Sequence, residues 1–129
     1  MVQMNVVYEG QLHCRLTHGP SGAVIATDAP KDNHGKGESF SPTDLVAGAL
    51  GSCMLTIMGI AAKKLGLAIE GTRVTVEKEM VAVPLRRIGA LKVVIEVPTL
   101  GLTEEQKQQL EKAALTCPVH QSLHPDVAM

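Results

Sequence analysis

Between Leu45 and Ala62 the chain carries no charged residue, and any fold it adopts must find cover for that stretch. Its start is marked: Ser41 is a good helix N-cap, Pro42 suits the first helical position, and Asp44 completes a Ser-x-x-Asp capping box. Its end is marked as well. Lys63 and Lys64 complement the negative end of the helix dipole, and Gly66 stands where a left-handed residue closes a helix. These signals predict one helix running to Leu65. An uncharged stretch of this length also just meets the roughly 18 residues of a membrane span. However, Gly48, Gly51, Ser52, Thr56 and Gly59 interrupt the stretch, no second such stretch follows, and strand patterns flank it. A helix buried at the centre of a globular fold is the simpler reading, and no membrane association is expected. The glycines cost helix propensity and instead allow a neighbouring element to come close.

The flanking segments alternate in the manner of strands. Val2 to Glu9 is rich in valine. In Gln11 to Thr17, Leu12, Cys14 and Leu16 face one way and His13, Arg15 and Thr17 the other. Gly22 to Asp28 makes a third strand after the turn at His18 to Gly22, and Pro30 to Ser39 reads as a polar loop. Beyond the helix, Thr72 to Val81 puts Val74 and Val76 inward. Leu91 to Val97 does the same with Leu91, Val93, Ile95 and Val97, and the turn at Pro84 to Gly89 suggests a hairpin. Thr103-Glu104-Glu105-Gln106 is a second capping box. It opens an amphipathic helix carrying Leu110, Ala113, Ala114 and Leu115 that ends near Thr116, with Asp126 to Met129 as a short tail. The order βββ-α-ββ-α predicts an α+β fold, an antiparallel-leaning sheet packed on a long buried helix, in a single domain over residues 1–129. One small sheet covers one side of an all-apolar helix. A second copy of the chain is expected on the other, as a homodimer.

Composition removes several function classes. Aromatic residues make up 2% of the chain, with one Tyr, one Phe and no Trp, so bases have no stacking platform. A net charge of −1 leaves no basic footprint for nucleic acid or anionic lipid. Met1 to Gly10 holds Glu9 and no Lys or Arg, unlike a secretory signal, so a cytoplasmic location is expected. Three cysteines do not make a structural disulfide framework, and in a reducing compartment a disulfide points to transient, catalytic use.

The chemistry rests on those cysteines. Cys53 lies about three turns into the first helix. By composition alone it reads as a small buried hydrophobe, and its depth denies it the N-terminal dipole. In Cys117-Pro118-Val119-His120 the proline would make Cys117 the N-cap of a short last helix through Leu123. That position is expected to lower its pKa; the competing reading is a turn whose proline is purely structural. Cys14 alternates with Leu12 and Leu16 and reads as core. Arg15, on the opposite face, is a candidate cation for a thiolate or a peroxide oxygen, with Arg73, Arg86 and Arg87 as rivals. Cys53, Cys117 and His120, with His124 nearby, form a weak candidate zinc set. No metal or other cofactor is expected, and no Gly-rich phosphate loop is present.

Ser41-Pro42-Thr43-Asp44-Leu45 leading through an Ala/Gly-rich turn to Cys53 resembles the helix signature of the OsmC/Ohr family. Cys117-Pro118-Val119-His120-Gln121-Ser122-Leu123 resembles the family's second signature. The order of strands and helices agrees along nearly the whole chain. The resemblance implies an intertwined homodimer with active sites at the subunit interface. It implies a thiol-dependent peroxidase acting on organic hydroperoxides in oxidative stress defence. Cys53 would be the attacking thiolate, Cys117 the resolving thiol and Arg15 the activating cation, with an external dithiol, such as a lipoyl protein, as reductant. The peroxidase branch carries a Glu at the position of Thr43, whereas here the acid is Asp44. The alternative is a small-molecule-binding protein of the same fold without useful peroxidase activity.

Overall fold

The predicted alternation resolves into five antiparallel strands. The computed structural model describes residues 1–129, which divide into two compact units, Met1–Val46 and Ala47–Met129. The α+β class holds, but the strands form two separate ladders rather than one sheet.

In the N-terminal unit, β1 (Met4–Gly10), β2 (His13–His18) and β3 (Val24–Asp28) pair antiparallel in sequence order. The β1–β2 connection corrects the expected strand from Gln11 to Thr17. Gln11 and Leu12 have φ of +54° and +61°, the positive values that both central residues of a type I′ turn adopt. Leu12 therefore sits in the turn, and β2 starts at His13. Cys14 is half-buried and not core. The polar loop contains a short 3-10 turn at Lys31–Asn33, and Asp28 N–H donates to the Phe40 carbonyl at 3.0 Å. The buried residues of this unit are Thr27, Asp28 and Ser41, all polar; none of its apolar side chains is fully buried.

Helix α1 (Pro42–Lys64) starts as its sequence prescribes. Ser41 N–H donates to Asp44 Oδ2 at 3.0 Å, and Asp44 N–H donates to Ser41 Oγ at 3.1 Å. It closes one residue before the expected Leu65. Gly66 has φ +69°, Leu67 N–H reaches back to the Ala62 carbonyl at 2.8 Å and Gly66 N–H to that of Lys63 at 3.2 Å, a Schellman closure. Ala47, Leu50, Gly51, Met54, Met58 and Ala62 form the buried stripe, while Gly48, Ser52, Thr56 and Ile60 lie exposed on the opposite side. An apolar helix is thus covered along one face within the chain.

That face is covered in the C-terminal unit by β4 (Arg73–Val81), β5 (Arg87–Glu96) and α2 (Glu104–Leu115). Val74 and Val76 point inward as expected, and Leu91 is fully buried. The helix and β4 approach closely at Gly51, where a Cβ would stand 3.0 Å from Val74 Cγ1 and 3.2 Å from Val76 Cγ2. Each large apolar side chain buried here contributes about 1.5–3 kcal/mol. Strand β5 begins earlier than Leu91. Glu79 pairs with Ala90 and Met80 with Ile88, leaving Gly89 as a bulge that lets pairing continue to Arg87. The C-terminal tail is pinned as well: Leu91 N–H donates to the Ala128 carbonyl at 2.8 Å and Ala128 N–H to that of Gly89 at 3.0 Å, a parallel bridge beside β5. Helix α2 carries the expected reciprocal cap, with Gln106 N–H to Thr103 Oγ1 at 3.1 Å and Thr103 N–H to Gln106 Oε1 at 2.9 Å. It buries Leu110 and Ala114 but leaves Leu115 exposed, so its apolar face is narrower than the sequence pattern.

Candidate active site

Helix α2 ends where proline forces a new start. Thr116 and Cys117 return their N–H groups to the Ala113 and Ala114 carbonyls, and Pro118 opens α3 (Pro118–Ser122) as its first residue. Cys117 is the N-cap of α3, as its sequence position predicts: its Sγ accepts the His120 N–H at 3.2 Å. The side chain is fully buried, at 0% exposure.

Cys53 arrives from α1. Successive helical residues are separated by about 100°, so Cys53 falls on the border between the buried side of Met54 and the exposed side of Ser52. It is half-buried accordingly. Cys53 lies near enough to Cys117 to act on the ionisation of its thiol. The expected lowering of the Cys117 pKa is overturned. Burial pushes this thiol above its ordinary value, because a thiolate there would lose its water. The His120 and Val119 N–H groups pull the other way and lose, and the neighbouring Cys53 raises it further. Cys117 is therefore held as the protonated partner.

A cavity of about 580 Å³ opens in the same unit. Its walls include Met54 and Met58 of α1, Val93 and Ile95 of β5, Leu110 of α2 and His120 of α3. Met54 directly follows Cys53, and His120 is the residue whose amide caps Cys117, so both cysteine-bearing segments contribute to the cavity wall.

Arg15 belongs to the N-terminal unit. It is exposed on β2, and its Nε stands 3.9 Å from Glu9 Oε2. Glu9 also approaches His13 Nε2 at 3.6 Å, and His13 Nδ1 bonds the buried Asp28 carboxylate at 2.6 Å. Sequence reasoning missed this Arg15–Glu9–His13–Asp28 chain. Arg15 and His13 alternate onto one face of β2, but the hairpin pairing that supplies Glu9 and Asp28 is not a local signal. Among the rival arginines, Arg87 donates to the Ile88 and Asp126 carbonyls at 3.0 and 3.5 Å. The Thr43 hydroxyl lies 3.2 Å from Ser41 Oγ within the cap of α1. The zinc alternative lacks a ligand set: no three His, Cys, Asp or Glu side chains are arranged to hold a metal, and His124 turns to Asp126.

Comparison with known proteins places this geometry in a family. The family model described as OsmC-like protein matches residues 35–129. A solved protein of Psychrobacter arcticus 273-4, described as an osmotic stress induced and detoxification response protein, is 44% identical; the match covers 99% of this chain and 92% of that one at a TM-score of 0.93. An organic hydroperoxide resistance protein OsmC of Legionella pneumophila shares the fold at 20% identity and a TM-score of 0.74, covering 99% and 92% of the two chains. The organic hydroperoxide resistance protein OhrB of Bacillus subtilis does so at 17% identity and a TM-score of 0.68, covering 99% and 93%. No curated protein matches the sequence. With the family model spanning most of the chain and a solved relative at 44% identity, the chain belongs to the OsmC/Ohr family.

Proposed function

We propose that the protein is a thiol-dependent peroxidase that reduces organic hydroperoxides in oxidative stress defence. The observation that carries this reading is the proximity of the half-buried Cys53 to the buried Cys117, close enough for Cys53 to raise the pKa of the Cys117 thiol. Cys53 is the attacking sulfur because a peroxide must reach it, and Cys117 at 0% exposure is closed to a bulky substrate. The Cys53 thiolate attacks the O–O bond, takes one oxygen as sulfenic acid and releases the alkoxide. Cys117 then condenses with the sulfenic acid, losing water and closing a disulfide. An external dithiol, such as a lipoyl group, reduces that disulfide and is itself oxidised. In this reading Arg15 is the activating cation, and Glu9 steadies it in place of an acid at position 43. Residues 1–129 act as one functional domain of a homodimer. The dimer is supported by the exposed Met4, Val6, Tyr8, Val24 and Ile25 of the first ladder and by the uncovered side of α1. The names of the Legionella and Bacillus relatives point to the same substrate class.

The location is proposed as cytoplasmic, without membrane or nucleic-acid partners. Pro42–Lys64 is long and apolar enough to cross a membrane by length and composition, but its buried stripe suits the centre of a globular core. The test is consumption of cumene hydroperoxide with a dithiol. Wild type is expected to turn over and Cys53→Ser to fall to background; equal rates would refute the reading. The apolar cavity favours one alternative, a small-molecule-binding protein of this fold. Peroxide inertness together with a co-purifying apolar ligand would support that instead.

A further inference from the structure

Two proton transfers in the proposed cycle lack a donor and an acceptor. When Cys53 splits the O–O bond, the departing alkoxide is strongly basic and needs a proton. When Cys117 attacks the sulfenic acid, its own proton must leave. Burial makes that second removal harder, since the Cys117 thiol is held above its ordinary pKa.

One histidine borders both the Cys117 cap and the cavity beside Cys53. His120 is half-buried at the third position of α3, and the residue lines the 580 Å³ cavity that also includes Met54, the neighbour of Cys53. Its backbone amide caps the Cys117 sulfur, which fixes the start of the helix turn from which the ring projects. The ring itself makes no hydrogen bond and no ion pair, so no structural partner accounts for a histidine lining a largely apolar wall. The other ionisable side chains on that wall are Lys107 and Glu111 of α2. Lys107 pairs with Glu104 at 3.3 Å, and neither residue lies on a segment that bears a cysteine.

We propose that His120 is the acid–base residue of the reaction, protonating the alkoxide released from an organic hydroperoxide and then accepting the proton of Cys117. The inference rests on the peroxidase reading. In the first step Cys53 S⁻ and R–O–OH give Cys53 S–OH and R–O⁻, and the imidazolium turns the alkoxide into R–OH, leaving a neutral ring. In the second, that neutral ring takes the Cys117 proton as the sulfur displaces hydroxide from Cys53. It returns the proton to the hydroxide as water, and a solvent proton then recharges it. The electrons balance: the peroxide is reduced by two, and the two thiols are oxidised to a disulfide.

The test compares leaving groups. Cumene hydroperoxide releases an alkoxide, whereas perbenzoic acid releases a carboxylate that is stable without a proton near neutral pH. His120→Gln is expected to slow cumene hydroperoxide reduction by roughly 10²-fold or more, the ordinary contribution of a positioned acid. It should leave single-turnover oxidation of Cys53 by perbenzoic acid nearly unchanged. The alkaline limb of the kcat/KM pH profile, where a proton donor is lost, should disappear with it. Equal slowing for both oxidants, or a wild-type rate and profile with cumene hydroperoxide, overturns the proposal. If His120→Gln misfolds, His120→Ala with added imidazole decides: rescue of cumene hydroperoxide reduction supports the role, and none overturns it. A wild-type protein that reduces neither oxidant overturns the peroxidase reading itself. A wild type active on both with an indifferent variant overturns only the role of His120.

Discussion

The two units of this chain solve the burial problem in opposite ways. The C-terminal unit holds the fully buried apolar cluster of α1, β5 and α2, centred on Leu50 and Leu91, and the cysteine pair sits within it. The N-terminal unit buries Thr27, Asp28 and Ser41 but no apolar side chain, and leaves Val6 58% and Tyr8 64% exposed. A three-stranded ladder without a covered apolar face is marginal on its own. The chain has thus concentrated its core around Cys53 and Cys117 and left the apolar side chains of the ladder that carries Arg15 incompletely covered. This is the physical basis of the proposed dimer.

The largest effect separates the two units directly. Leu50→Ala is expected to cost about 2–5 kcal/mol in urea unfolding, the range for a cavity in a packed core. Val6→Ala should stay within about 0.5 kcal/mol when the protein is dilute enough for its copies to separate. Val6→Lys sharpens the contrast: sedimentation should show a loss of dimer with the C-terminal core intact, and an unchanged mass would break the argument. Next come two glycines of α1 with opposite signs. Gly51→Ala presses on Val74 and Val76 and is expected to destabilise by about 1–3 kcal/mol. Gly59→Ala meets no atom within 4 Å in the chain and should gain up to about 1 kcal/mol of helix propensity. If a second copy packs closely on that part of α1, the gain disappears in the dimer. Thr103→Ala removes a side-chain cap from α2 and should cost about 1 kcal/mol.

The smallest effect is a pH dependence. Burial raises the folded-state pKa of Cys117, so the unfolded chain releases this proton first as pH rises. The stability tied to the neutral thiol is fully present below the ordinary value of 9.0 and is lost as pH climbs through the folded pKa. Wild type should therefore weaken more steeply above 9.0 than Cys117→Ala in urea titrations. Parallel curves would remove the burial argument for Cys117.

What was legible in the sequence was local. Ser41 with Asp44, Thr103 with Gln106, Gly66 and Pro118 each specify a helix end through bonds spanning a few residues, and each end formed within a residue of its signal. The alternation around Val74 and Val76 fixed a strand face for the same reason. What escaped depended on distant partners or on uncommon backbone choices. Gln11 and Leu12 adopt positive φ without the Gly or Asn that usually announces it. Ala128 pairs with a strand far back in the chain. The division into two ladders is likewise a tertiary outcome. At the site, the N-cap role of Cys117 was readable from Pro118, but the direction of its pKa was not. The cap is local, whereas the burial that outweighs it comes from packing.

The central claim is that Cys53 and Cys117 form one redox couple. Its most direct measurement is peptide mapping by mass spectrometry after one equivalent of cumene hydroperoxide, with free thiols blocked at once. The account predicts a single disulfide-linked peptide pair joining Cys53 to Cys117, with Cys14 recovered as a blocked thiol. Recovery of Cys53 and Cys117 both as blocked thiols, or a link through Cys14 instead, would contradict it.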